Sequence, residues 1–463
     1  MQKLLATSGR GFSAASDSLV TLASLRSALG EKVSTNEQSL WARSILTAAT
    51  TQQMNDETLI SEIRFIPPGL DIDLGSQTYN MTEPAPPVLR DSGRPYRDLI
   101  REAALDLASV LQSLTTARAH VQLGLTGGYD SRAVLAAALL AQATVTSHTQ
   151  VHNAEQARDR EIAVALTTTY DLPFEDVVVH DARGPGDALT LWGSSLAGVY
   201  DGFLPAGPSL PFGPFRVYLN GVGAEIARPS TWPWAHWSTY AQSKTPPGEH
   251  APPTAIEEFL RAGHRGLRVA GLEADDPIGA RHMYAIYRCG LHAASPVATL
   301  TPLTLSPLAS RYLAEAGYLE RSNRLITDLT MLLSPELAVQ PYGDPSRTLT
   351  KSAVEQRLSE LGGPIGESEI PERGVKGSHE SVVRGPSQLA LSVAKSIGFT
   401  GNYHEAPDWI DDDLDLLPAP LQPVYKKLHA NGLWRANKSF GGKIQPSGAS
   451  LPKVASLRLL RLA

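Results

Sequence analysis

The chain has 463 residues, 42% of them hydrophobic and 19% charged, with a formal net charge of −6. That length gives room for two or three domains with sizeable cores, and that balance supplies no global positive field for nucleic acid or acidic membranes. A single cysteine, Cys289, excludes an intramolecular disulfide and a cysteine zinc cluster. The apolar patch Leu4-Leu5-Ala6 is too short for a signal segment, and the longest apolar run, Ala133 to Ala141, is too short to cross a bilayer, so a cytoplasmic protein is expected.

Helical periodicity runs through Ser18 to Leu29 (Leu19, Leu22, Leu25) and through Leu40 to Leu46. Ile63 to Leu74 alternates about Pro67-Pro68-Gly69, the pattern of a hairpin. The proline-rich stretch Thr82 to Pro95 marks a boundary, and Pro95 suits the first position of a helix with Leu99, Ala103, Leu107, Val110 and Leu114 as its stripe. Val121 to Leu125 reads as a buried strand. It runs into Thr126-Gly127-Gly128-Tyr129-Asp130-Ser131-Arg132 and then a helix.

Thr144 to Val151 is a second strand, Ala157 to Tyr170 a helix, and Glu175 to His180, with Val177-Val178-Val179, a third strand. Such alternation predicts a parallel sheet with helices on both faces and ligands beyond the carboxyl ends of its strands. Phe215 to Leu219 is the next strand, followed by Asn220-Gly221-Val222-Gly223-Ala224-Glu225-Ile226. Trp232, Trp234 and Trp237 serve packing or wall a substrate, with packing the simpler role. Residues 243 to 255 read as an exposed loop, and the pattern is mostly helical from Ala255 onward. Asp408 to Asp415 is acidic and the segment from Lys426 basic. Both read as solvated faces, with mutual pairing or contact with a partner as the alternatives. No internal repeat is present.

The chemistry of the Thr126–Ser131 stretch is that of phosphate binding. Two glycines let the backbone approach an anion, and the new helix aims N–H groups and its positive end at it. Thr126 and Ser131 add hydroxyl donors, and Asp130 suits the Mg2+ that travels with a nucleotide. No Gly-Lys-Ser/Thr follows, so this is not a Walker A loop. The segment resembles the Ser-Gly-Gly-x-Asp-Ser loop of ATP pyrophosphatases, and within them the synthetase domain of asparagine synthetases and β-lactam synthetases. The resemblance covers roughly residues 60 to 400. It implies an adenine nucleotide alpha hydrolase-like parallel sheet flanked by helices, with a helical C-terminal half. It also assigns ATP to residues from Leu125 through Thr126, Gly127, Gly128, Asp130, Ser131 and Arg132. Arg132, where the family has a small residue, either adds a cation on pyrophosphate or faces solvent.

Ile63-Arg64-Phe65-Ile66-Pro67-Pro68-Gly69 resembles the last hairpin of the glutaminase-type domain that precedes the synthetase domain in that family. The cysteine nucleophile that follows the initiator Met there is missing here, where the chain opens Met1-Gln2-Lys3. The expected organisation is therefore a truncated, non-catalytic α+β cap (1–90), a synthetase domain (91–400) and a C-terminal extension (401–463).

Asn220 to Glu225 is similar to the family's second signature, Ser-Gly-x-Gly-Ser-Asp. By that likeness Gly221 and Gly223 face the nucleotide, and Glu225 shares the metal with Asp130. Ile226 stands as in β-lactam synthetases. Thr301-Pro302-Leu303-Thr304 matches a Pro-hydrophobic-Asp segment with threonine in place of the acid, and Lys376 matches a loop lysine that reaches the active centre.

The resemblance implies a ligase that activates a carboxylate as its acyl-adenylate and passes it to an amine or ammonia. ATP and Mg2+ would be its cofactors, with no nucleic acid or membrane partner, and a homodimer is left open. Val222 departs from the family, which places Glu or Tyr between the two glycines to handle the amine. A nucleotide-binding scaffold without catalysis is therefore the alternative. tRNA thiolation is disfavoured by the missing cysteines and the acidic charge.

Overall fold

The computed structural model describes residues 4–45, 49, 53–67, 70–82, 94–149, 154–176, 187–201, 216–224, 235–244, 252–288, 299–300, 323–372, 387–401, 412–438 and 450–463. Three helix-to-strand junctions of identical construction set up its parallel sheet. Helices α3 (Tyr96–Thr116), α4 (Tyr129–Leu140) and α5 (Ala154–Thr169) each exit through a non-glycine residue with positive φ: Arg118 (54°), Gln142 (49°) and Asp171 (51°). At each exit this residue and the next donate their N–H groups back into the last turn, as in Arg118 to Thr115 and Ala119 to Leu114. That double bond is the helix-ending motif that glycine usually serves.

The chain then enters β6 (His120–Gly124), β7 (Val145–His148) and the segment around Phe174, which bridges Ser147 in parallel. Further strands β8 (Arg216–Leu219) and β9 (Thr299–Leu300) complete a parallel sheet ordered β7-β6-β8-β9. With Phe174 outside β7, the strands lie in sequence order third, second, first, fourth, fifth. The order therefore reverses between β6 and β8, and such a reversal opens a crevice at the carboxyl ends of the two strands.

The expected third strand is seen only at its start, because Val177 to Val179 lie outside the described residues. β9 is a fifth strand where the sequence pattern suggested helix. Val121, Leu123, Leu125, Val145 and Leu219 on one face of the sheet pack in a single core with α3, α4 and α9 (Arg324–Leu333). On α3, Leu99, Ala103 and Leu107 are buried as expected. Ile100, Ala104, Ala108 and Leu111 are buried as well, because a neighbour lies on either side of the helix.

A second core surrounds an antiparallel sheet of order β2-β1-β3, formed by β1 (Leu4–Gly9), β2 (Phe12–Ser16) and β3 (Ile63–Ile66). Residues 4–16, read from sequence as little more than a short apolar patch, thus form a hairpin. Ile63 to Leu74 is not a hairpin. β3 pairs with β1 in the register Leu4↔Ile66, whereas β4 (Asp71–Leu74) pairs with β5 (Tyr79–Thr82). A distant strand captures β3, and local alternation carries no information about that competitor.

Helices α1 (Leu19–Ala28), α2 (Glu37–Arg43), α6 (Ala188–Ser195), α7 (Trp237–Lys244) and α8 (Pro253–Val269) join this core. So does the segment 450–460. The two cores therefore do not coincide with the segments 1–90, 91–400 and 401–463. Part of the basic tail is no solvated face: Lys453, Arg458 and Ser456 are buried, and Arg458 and Arg461 both donate to the fully buried Asp413, at 2.8 and 2.7 Å. Trp237 is fully buried against Tyr240 and Phe259, while Trp232 and Trp234 lie outside the described residues. Among the described residues no helix is long and apolar enough to cross a membrane.

One buried carboxylate ties three helices together. Asp328 of α9 has no exposed side-chain surface. It accepts from Tyr96 Oη of α3 at 2.7 Å and from Nε and Nη2 of Arg357 at 2.9 and 2.6 Å. Arg357 lies on α10 (Lys351–Leu361). Removing the guanidinium leaves this buried charge to Tyr96 and to Arg324 Nε, 3.7 Å away, so Arg357→Ala should lower stability by about 3 kcal/mol. A urea titration checks this, and an unchanged midpoint would mean that Asp328 is satisfied without Arg357.

Candidate functional site

The crevice at the strand reversal is floored by the turn after β6. Leu125 continues the strand: its N–H donates to His148 O at 2.9 Å, its carbonyl accepts from Thr149 Oγ1 at 2.6 Å, and its side chain is fully buried. It is a core residue rather than a ligand contact, because the neighbouring strand end takes its main chain. Thr126 N–H donates to Ser131 Oγ at 3.0 Å, Gly128 N–H donates to Thr126 Oγ1 at 3.2 Å, and the two hydroxyls lie 3.1 Å apart. One hydroxyl proton serves the bond between them, which leaves the pair one O–H to offer a ligand.

Gly128 stands at the N-cap of α4, where no side chain caps the helix, and Asp130 is half-buried in the first turn. The opening N–H groups of a helix have no partner within it and mark its positive end.

Two expectations are corrected. The Gly127 amide was expected to meet phosphate. Instead it donates to Asp159 Oδ1 of α5 at 2.9 Å, while Gly127 O accepts from Gly343 N–H at 3.0 Å. A Cβ at Gly127 would lie 2.8 Å from that carboxylate oxygen and 2.9 Å from Gly343 Cα. This glycine thus admits the protein's own backbone and an acid, not an external anion.

Arg132 neither faces solvent nor reaches the crevice with its charge. It is fully buried, donates to Gln340 O at 2.8 Å and Pro341 O at 2.6 Å, and stacks 3.6 Å from the Tyr342 ring centroid. It clamps the 340–343 segment onto α4, and burial pulls its pKa below the ordinary arginine value. Sequence reading missed Asp159 and Gly343. Both sit in unremarkable helical and loop text, and only folding brings them to the turn.

The second glycine turn stands directly opposite. A Cβ on Gly221 would lie 2.6 Å from both Asp130 Cβ and Ser131 N, so the loop after β8 rests on the first turn of α4. Val222 N–H donates to Asn220 Oδ1 at 3.0 Å, and Gly223 has φ 111°, a conformation open to glycine. Thr126, Gly128, Asp130 and Ser131 are thereby brought together with Gly221 and Gly223. Glu225, Lys376, Cys289 and the Thr301–Thr304 segment lie outside the described residues. Among the described residues no group of three His, Cys, Asp or Glu side chains is placed to hold a metal. No protein-family model matches the chain, and no curated protein matches it.

At the end of β7, His148 is 1% exposed, and its ring lies 5.3 Å from that of Tyr218. The contact passes over Gly124, where a Cβ would lie 2.5 Å from Tyr218 Oη. Burial pulls the His148 pKa from 6.5 down to about 4. Between those values the unfolded chain holds the proton and the folded chain does not, so stability falls as pH drops from about 6.5 to about 4. The lowering corresponds to about 3 kcal/mol. His148→Leu should remove about that much of the acid-induced loss, measured as wild-type minus variant stability across this window. Parallel curves would show that His148 titrates normally.

Gly127→Ala should cost about 2 kcal/mol in urea unfolding, since neither backbone nor carboxylate can yield cheaply. A neutral result would mean that the turn is looser than its contacts indicate.

Proposed function

We propose that the crevice between β6 and β8 binds ATP, and that the chain is an ATP-dependent carbon–nitrogen ligase of the asparagine synthetase type with an adenine nucleotide alpha hydrolase-like sheet. The observation that carries this reading is the reversed strand order, which sets two glycine turns against each other over the uncapped start of α4. A polyanion is the ligand such a helix start attracts most strongly.

In this reading the first-turn amides of α4 and the spare hydroxyl proton of Thr126 and Ser131 bond the β- and γ-phosphates, with Gly128 and Gly223 leaving room for them and Gly221 letting the second loop close on α4. Mg2+ usually takes one or two carboxylates and completes its shell with phosphate oxygens and water. Asp130 would supply one such carboxylate, and Glu225, outside the described residues, is assigned as the second by the likeness of its loop; the ion would neutralise charge on the departing pyrophosphate. A substrate carboxylate attacks the α-phosphorus and expels pyrophosphate, giving an acyl-adenylate. An amine or ammonia then displaces AMP. The chain's own part is to align the reactants and stabilise the developing charge, with Lys376 assigned to the transition state. No glutaminase activity is assigned to the N-terminal region.

A second reading rests on two specific observations. Asp159 already occupies the Gly127 amide, and apolar Val222 has no group with which to handle an amine. A nucleotide-binding scaffold without turnover would have these features.

ATP–pyrophosphate exchange across a panel of carboxylates separates the two readings. The ligase should exchange label with at least one carboxylate, and Asp130→Ala should reduce the rate by more than about 100-fold, the scale expected when electrostatic stabilisation is removed. Binding of ATP without exchange would establish the scaffold, and failure to bind ATP at all would end both readings.

A further inference from the structure

A cleft of about 340 Å³ lies on the parallel sheet, over the amino-terminal halves of β6 and β7. Arg118 and His120 line it where α3 gives way to β6, Thr144 just before β7 and Thr146 within it lie across its middle, and Glu175 stands on the far side beside Phe174. Three neighbouring strands set the two sides about 10 Å apart. Arg118 and Glu175 are exposed, whereas Gln122 is only 6% exposed. Gln122 reaches across β7 and donates from Nε2 to Glu175 Oε2 at 3.0 Å, which fixes that carboxylate's position. The Oε1 atom of Gln122 is buried with no hydrogen-bond partner, a cost that a donor on a bound molecule would remove.

The cleft thus sets donors and positive charge on one side and a held carboxylate with an amide acceptor on the other. We propose that it is a binding site for a free α-amino acid, whose carboxylate meets Arg118 and His120 and whose ammonium meets Glu175 and Gln122. The volume suits a molecule of that size. The rise along β6 puts Arg118 and His120 roughly 20 Å from the Thr126 turn, so an amino acid held by its carboxylate against them is an effector and not the reacting substrate. The proposal stands whether or not the crevice binds ATP.

Arg118 also permits a clean test. It holds φ 54° at a position where glycine is unstrained, so Arg118→Gly should keep or raise the unfolding midpoint while removing the charge. Equilibrium dialysis of the full chain against each of the twenty labelled L-amino acids at 1 mM is the measurement, with acetate and methylamine as competitors. The expected result is uptake of one equivalent of at least one amino acid, weakened tenfold or more in both Arg118→Gly and Glu175→Gln, with neither competitor displacing it at equal concentration. No uptake of any amino acid, uptake unchanged in Arg118→Gly, or displacement by acetate alone would each overturn the proposal.

Discussion

The absence of a side chain at two points, Gly127 and Gly221, is the constraint on which the crevice depends. Each lets a separate piece of chain come within van der Waals contact of the turn and first residues of α4. At Gly127 these are Asp159 and Gly343, and at Gly221 the loop after β8. Arg132 reinforces this from beneath by bonding the carbonyls of Gln340 and Pro341 and stacking on Tyr342. Three segments far apart in sequence therefore converge on one helix start. A methyl group at either glycine would separate them.

The bond between Asp159 and Gly127 bears on how the turn handles anions. An amide at a glycine turn beside a helix start is a good anion donor, and here the protein satisfies it with its own carboxylate. The positive field of α4 is left to its first-turn N–H groups, where Asp130 also sits. The donors at this turn are thus divided between the Gly127 amide, held by an internal acid, and the start of α4, which no side chain caps. His148, neutral through burial, adds no charge to this end of the sheet.

Charged pairs, as well as apolar burial, hold distant segments in the antiparallel core. Asp56 takes Arg265 of α8 at 2.6 and 2.8 Å, and Arg261 reaches Glu57 at 2.9 Å. Gly266 lets that helix press on the main chain of Met54, where a Cβ would lie 1.8 Å from the carbonyl oxygen. At the other end of the chain, Lys453 enters the core and donates to the carbonyls of Arg43 and Ile45 at 2.5 and 2.8 Å, and its burial lowers its pKa to about 7. Pairing oppositely charged segments through Asp413 and Arg458 makes the chain's last residues part of its first core.

The sequence by itself determined the elements whose signals are local. The strand, glycine turn and helix at Val121 to Ala141 follow from apolar periodicity and two adjacent glycines. The parallel character of the sheet follows from alternating strands and helices, and the likeness of the two glycine turns from their spacing. Only the tertiary structure decided which strand pairs with which, as when β1 captures β3 and dissolves the apparent hairpin at Pro67. Only it decided that Arg132 is a buried clamp, that Leu125 is core, that Asp159 holds the Gly127 amide, and that the basic tail is partly interior. The reason is physical. Periodicity reports the faces an element must bury, whereas the partner of a strand edge, a charge or an open amide is chosen by distant segments competing for it, and that competition is resolved only when the chain closes on itself.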